Sequence, residues 1–230
     1  MAKETLALTL VFLLGLMQPC CGTQKASVPS QYKLASPKTD LQTTPSRKSA
    51  PKDESIQRLI SSLSSEDGSE RTKAQIALTQ LAQQSSENRK AVIDELIASV
   101  NKLGLEDKLV LEPKVFQFWQ SVTRIFGELR ATETVDLLIA FIYCSDGLSD
   151  ETSHHRPAED ALIDLGADAL PKLSEALLHN ENRTIRKRVA LCLGNIGGTD
   201  AKRTLEAALQ SENDSDVRHY IEIAIRGAQN

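Results

Sequence analysis

Six residues between positions 144 and 155 are of the types that bind zinc. Structural zinc sites normally combine such residues at short spacings, for example in a CxxC pair, and this segment contains no pair of that kind. One of the histidines also falls on a position that is apolar in related segments, where a core or capping role is simpler. We therefore predict no metal site and no other cofactor. The six residues are Cys144, Asp146, Asp150, Glu151, His154 and His155.

Other patterns that indicate catalysis or nucleic-acid binding are missing from the sequence. It contains no nucleophile elbow and no phosphate-binding loop. The run GNIGG at Gly194–Gly198 resembles a glycine-rich loop only superficially, and we predict that it ends a helix. The basic run Arg186–Arg188 lies in a net acidic part of the chain, which argues against a nucleic-acid partner. The sequence thus predicts a protein that is not an enzyme.

The sequence contains an internal repeat with an offset of 32 residues. Residues Gly166–Arg188 align with Gly198–Tyr220, so that Leu173 matches Leu205 and Arg186 matches Arg218. A fixed period of 20–50 residues that holds two short helices is typical of a stacked α-solenoid. Further matches are Ala176 with Ala208, Leu177 with Leu209, and Ile185 with Val217.

The second helix of each repeat carries an apolar stripe at positions i, i+4, i+7, i+8 and i+11, which share one face of a helix. Such a stripe cannot be buried within one unit, so neighbouring units must stack. We predict an all-α fold, an α-solenoid of about five stacked antiparallel helix pairs over residues 53–230. The stripes are Phe118, Val122, Ile125, Phe126 and Leu129; His154, Ala158, Ala161, Leu162 and Leu165; Ile185, Val189, Cys192, Leu193 and Ile196; and Val217, Ile221, Ala224, Ile225 and Ala228.

Three junctions between the predicted helices resemble those of HEAT repeats. They read LRATETVDLL, LGADALPKL and IGGTDAKRTL, and Pro171 stands in a first helix where this family often carries a bending proline. The segment from about residue 115 to 230 is similar to the short HEAT-like repeats also found in phycobilisome lyases. The resemblance implies an α-solenoid that binds other macromolecules. It leaves a lyase-like or other enzyme-accessory role open as the alternative to a scaffold.

One row of positions on the second helices combines an aromatic residue with cationic or titratable ones. The row contains Trp119, His155, Arg186 and Arg218, and Trp and Arg are enriched where binding energy concentrates. We call it the partner-contact ridge and predict that it binds a protein. Alternatively, the two arginines pair locally with Glu181 or Asp214 and hold neighbouring units in register. We favour this alternative for the arginines.

The first 22 residues resemble an export signal. After Lys3 and Glu4 the segment TLALTLVFLLGLM contains 13 residues without a charge, which fits a secretory signal and is short for a membrane-spanning helix. We predict export to the periplasm or envelope of a bacterial cell. Lipid attachment at Cys20 or Cys21, and plain secretion after cleavage, both remain open, with an uncleaved anchor as a third alternative.

Residues 23–52 form a predicted disordered tether rich in Ser, Thr, Pro and Lys. This segment has a net charge of +5, whereas residues 53–230 contain 20 basic and 29 acidic residues and carry −9. The basic tether either serves as a soluble linker, which we favour, or is attracted to an anionic membrane.

Export would permit a disulfide between Cys144 and Cys192. Cys192 holds a core position of the repeat, so we favour two free thiols.

Overall fold

A computed structural model describes residues 51–106, 108–147 and 156–228, and only the backbone of residues 51–54. The predictions for residues 1–50, including Cys20 and Cys21, and for His154 and His155, lie outside these ranges. Within them no helix is long and apolar enough to cross a membrane. The described α helices are α1 (Pro51–Ser62), α2 (Gly68–Gln83), α3 (Ser86–Asn101), α4 (Pro113–Glu128), α5 (Val135–Ala140), α6 (Pro157–Leu165), α7 (Leu170–His179), α8 (Arg183–Ile196), α9 (Gly198–Ser211) and α10 (Ser215–Gly227).

The helices form five consecutive pairs, α1/α2 to α9/α10. The second helices stack in the order α2, α4, α6, α8, α10, and among the first helices α1 packs on α3, α5 on α7, and α7 on α9. Helices α4 and α6, and also α8 and α10, pack on each other more extensively than α5 and α7 or α7 and α9 do. The second helices therefore form the more extensively packed row of the solenoid. The predicted all-α solenoid is confirmed.

The apolar stripes lie in the core as predicted. On α8, Ile185, Val189, Cys192 and Leu193 are fully buried, and Ile196 at the end of the stripe is partly buried. Burying one such side chain contributes roughly 1.5–3 kcal/mol, so each stripe fixes its helix against both neighbours. Equivalent residues of α4, α6 and α10 are buried with them, namely Phe118, Val122, Ile125, Phe126, Ala158, Ala161, Leu162, Leu165, Val217, Ile221 and Ala224.

Short polar residues and glycines set the helix ends. The side chains of Asp67, Asn182 and Asp214 accept hydrogen bonds from backbone N–H groups in the first turns of α2, α8 and α10. Gly166 and Gly197 follow α6 and α8 at positive φ, a conformation that glycine adopts without steric cost. Equivalent caps therefore begin or end helices in several repeats, and Asn182 and Asp214 are one period of 32 residues apart.

Gly194 lies inside α8, at the point where α10 crosses it. A Cβ atom at this position would lie 2.9 Å from the Cα, Cβ and carbonyl oxygen of Ala224, closer than real Cβ contacts. Gly127 occupies the equivalent position of α4, where a Cβ atom would meet Asp164 at 3.1 Å. The predicted helix stop in the run Gly194–Gly198 is confirmed, with Gly197 following the last residue of α8, but Gly194 itself lies within the helix. Gly194 instead permits two helices to approach closely.

Pro171 occurs near the start of α7, after a 3-10 turn at Gly166–Ala169. Its missing N–H costs no hydrogen bond there, because the first N–H groups of a helix have no partner within the helix. The first helix of this repeat is therefore divided into a turn and an α helix rather than bent at the proline.

Candidate partner-binding surface

Trp119, the aromatic member of the predicted partner-contact ridge, lies in the core. None of its surface is exposed, and its ring meets that of Phe141 edge to face, with the centroids 6.1 Å apart. The prediction that Trp119 contacts a partner is wrong. His155, another member of the ridge, lies outside the described residues.

The position of the ridge on the second helices explains this burial. Residues on an α helix are about 100° apart, so the ridge position, which directly follows Ile185 in α8, lies beside the apolar stripe. The side chain at this position points towards the loops and the neighbouring unit. The positions one and five residues later, occupied by Lys187 and Leu191 in α8, face away from the stripe. Those positions form the exposed face of the second helices.

Arg186 connects two neighbouring repeats. Its Nε donates to Oε2 of Glu212 at 2.7 Å, and its side chain also donates to the carbonyl oxygens of Asn180 and Glu181 at 2.8 and 3.2 Å. The alternative of local pairing therefore describes Arg186, although the carboxylate that it meets is that of Glu212 and not of Glu181 or Asp214. Arg218 shares only the contacts within its own repeat, where it donates to the carbonyl oxygens of Leu209 and Glu212 and so holds the loop before α10.

Arg71 on α2 has this role in the first repeat, and the sequence reasoning missed it. Its guanidinium donates to the carbonyl oxygens of Ser65 and Glu66, six and five residues earlier, which is the relation of Arg186 to its own two carbonyl partners. An arginine four residues after the N-cap residue of the second helix, as after Asp67, Asn182 and Asp214, is the signal that would have identified it. These arginines hold the loops together and are not primarily available to a partner.

The exposed face of each second helix includes the residue equivalent to Leu191 of α8, which lies four positions after Lys187. In chain order this exposed row contains Ile76, Arg124, Asp160, Leu191 and Ile223. Ile76 and Ile223 are two of the five large apolar side chains that are exposed within the described residues, and Leu191 between them in sequence is partly exposed. The exposed row thus offers apolar contact area at both ends and charged side chains in the middle.

A carboxylate between two arginines lies where α6 meets α8. Glu159 Oε1 is 3.6 Å from an Nη of Arg188 and 3.9 Å from Nε of Arg156, and all three side chains are largely buried. Burial raises the pKa of Glu159 to about 7, because the attraction to Arg188 and Arg156 offsets the lost hydration only in part.

Replacement of this carboxylate by the neutral amide in Glu159→Gln is expected to stabilise the protein at high pH. An acid whose pKa is raised on folding destabilises the folded state progressively as the pH rises from the unfolded pKa, about 4.3, to the folded pKa, here about 7, and has no effect below the unfolded pKa. We expect a gain of about 1–3 kcal/mol in the free energy of unfolding at pH 8.5 and almost none at pH 4. Urea unfolding of both proteins at the two pH values measures it. A gain of equal size at both would contradict the assignment.

Cys144 and Cys192 are buried free thiols, as the sequence favours. Burial raises the pKa of Cys144 to about 12 and that of Cys192 well above its usual value. The Cys144 thiol donates to the carbonyl oxygen of Lys108 at 3.2 Å, which ties the segment after α5 to the loop before α4. Both thiols therefore act as core groups. Of the remaining zinc-type residues only Asp146 lies in the described part of the chain, so the predicted absence of a metal site there stays a prediction.

Comparison with known protein families gives a match within the last five helices. Residues 158–226 match the family model of HEAT repeats. This segment covers less than a third of the chain and extends from α6 to α10, the part in which the period of 32 is clearest. Together with the stacked helix pairs, the match supports a HEAT-repeat protein. No match to the chain was found among the curated proteins.

Proposed function

We propose that this protein is a non-catalytic scaffold or adaptor that binds a partner protein through the exposed face of its second helices. The observation that carries the proposal is the exposed row, in which Leu191 and Ile223 stand one repeat apart on the adjacent second helices α8 and α10. Stacked helix pairs typically bind partners through extended surfaces that run across several repeats. HEAT repeats commonly mediate protein–protein interaction.

The proposed location is the bacterial cell envelope. Its support is the uncharged apolar run of residues 5–17, followed by Cys20 and Cys21 and by a polar, basic segment of about 30 residues. A linker of that length would span roughly 30 Å if flexible, enough to let the repeat domain reach a partner from an attachment point. We propose a lipid on Cys20 or Cys21, or secretion without an anchor, as the two forms of this arrangement.

A photoreactive amino acid placed on the exposed face tests the function directly. Asn195 is exposed on α8, four residues after Leu191, and Glu175 is exposed on α7 in the row of first helices. In cells that naturally make the protein, irradiation should give a discrete adduct with another protein when the label is at Asn195. The label at Glu175 should give none. Mass spectrometry of the adduct identifies the partner.

Two outcomes would contradict the proposal. Adducts of equal yield and identity from Asn195 and Glu175 would show that contact is not specific to the second helices. Absence of any adduct from Asn195, with both variants folded and present at the wild-type level, would show that this face binds no protein.

A further inference from the structure

Four side chains of α8 and α10 form a contiguous group on the exposed face, which we call the basic–apolar patch: Lys187, Leu191, Tyr220 and Ile223. The Lys187 ammonium lies 5.2 Å from the centre of the Tyr220 ring, and the Arg188 guanidinium lies 5.9 Å from the same centre. Ile223 keeps 38% of its surface exposed and Leu191 is partly exposed. The patch therefore joins an apolar strip to a cation and an aromatic ring.

The charge of this region is opposite to that of the domain. The two positions that Lys187 and Arg188 hold in α8 carry Thr72 and Lys73, Gln120 and Ser121, Arg156 and Pro157, and His219 and Tyr220 in the other second helices. None of these ten residues is acidic, although residues 53–230 carry a net charge of −9. Their place near the helix N-termini adds further positive potential.

The charge of Lys187 is available for binding. Within the described residues Lys187 takes part in no ion pair, and its contact with the Tyr220 ring leaves hydrogen-bond donors of the ammonium free. Three carboxylates lie nearby: Glu159 between Arg156 and Arg188, Glu222 exposed on the outer flank of α10, and Asp160 at the position of Leu191 on α6. On α8 and α10 themselves a ligand at the patch meets the Lys187 cation, whereas Asp160 lies one helix further along the exposed face.

We infer that the basic–apolar patch binds an acidic segment of the partner protein, with two apolar side chains of that segment on Leu191 and Ile223 and a carboxylate on Lys187. The inference rests on the proposed function and adds the chemistry of the partner. Neighbouring packed helices lie about 8–10 Å apart. In a polyproline II segment, which has three residues per turn and rises about 3.1 Å per residue, apolar residues three positions apart lie on one face and span this distance. The expected motif is apolar–x–x–apolar with Asp or Glu beside it.

Selection of random dodecapeptides displayed on phage against the immobilised full chain tests this chemistry. The enriched peptides should contain more Asp and Glu than the library and an apolar–x–x–apolar spacing. Fluorescence anisotropy of the most enriched peptide should then show binding weakened about tenfold by Lys187→Glu and similarly by Ile223→Asp, which corresponds to losing one good contact. Leu178→Asp, at an exposed apolar residue of α7, should leave the affinity unchanged.

Several results would overturn the inference. They are enrichment of basic or uncharged peptides, peptide affinities that Lys187→Glu leaves unchanged while circular dichroism shows a folded chain, and no enrichment at all. Tighter binding of a 20-base-pair DNA duplex than of any selected peptide would assign the patch to a phosphate polymer instead. In each case the photo-cross-link from Asn195 reports separately on the proposed function, because that test does not depend on the charge of the partner.

Discussion

The variant Gly194→Ala should lower the free energy of unfolding by about 2 kcal/mol. A Cβ atom at this position would lie 2.9 Å from the backbone of Ala224, so α8 and α10 must move apart and loosen the most extensive contact between second helices. Overpacking a core contact typically costs 1–3 kcal/mol. Alanine also favours a helix over glycine by about 0.5–1 kcal/mol, and this gain is already included in the expected net loss. The midpoint of urea unfolding, followed by circular dichroism, measures the change.

Gly227→Ala provides the matched control for this prediction. Gly227 is the last residue of α10, and a Cβ atom there would meet nothing within 4 Å. Only the helix preference then remains, so this variant should be unchanged or more stable by up to about 1 kcal/mol. Equal stability of the Gly194 and Gly227 variants would mean that the two helices do not approach as closely as described.

The variant Arg186→Ala should cost about 3 kcal/mol. It leaves the Glu212 carboxylate without its cation and removes the donor to the carbonyl oxygens of Asn180 and Glu181. Only 15% of the Arg186 side chain and 11% of the Glu212 side chain are exposed, so water replaces these hydrogen bonds poorly. Removing one partner of such a pair costs several times more than breaking a surface pair.

The cost of losing Arg186 should also depend on pH. Burial alone would raise the pKa of Glu212, but hydrogen bonds from Arg186 and from the backbone N–H groups of Asp214 and Asn213 outweigh it and hold the pKa below its usual value. A lowered pKa contributes stability that is present above the unfolded pKa, about 4.3, and is lost as the pH falls through the folded pKa. The difference between wild type and Arg186→Ala should therefore be largest at neutral pH and shrink in acid.

Arg203→Ala is the control for Arg186→Ala. The Arg203–Asp200 pair on α9 is also an arginine–carboxylate pair at 3.2 Å, but about three quarters of each side chain is exposed. Its loss should change the free energy of unfolding by no more than about 0.5 kcal/mol. If both arginine variants were equally stable, the connection between repeats through Glu212 would not be a source of stability.

The repeat period and the apolar stripe predict most of this fold. Positions such as Val189 and Ile221 must be buried because each helix offers one apolar face, and that face fixes the pairing and the stacking. The helix ends can also be predicted from the sequence. Asp214 before α10 and Gly197 after α8 are residue types that favour helix ends through local interactions alone.

The position of the surface is harder to predict, because it depends on what covers the flanks of each helix. The ridge position carries Arg186 in one repeat and Trp119 in another, and spacing alone shows only that the two are equivalent. Trp119 is buried because Phe141, a residue remote in sequence, packs against its ring. Arg71 escaped notice for a related reason: 115 residues separate it from Arg186, which is no multiple of 32, since the intervening loops differ in length.

The buried thiols of Cys144 and Cys192 have a consequence for the order of events if the chain is exported as we propose. Thiolates, and not neutral thiols, attack disulfides, so the packed protein withholds both sulfurs from the oxidising machinery of the compartment. In the unfolded chain the same cysteines are accessible, and they can form non-native disulfides with each other or with Cys20 and Cys21. The repeats must therefore fold before their cysteines are oxidised.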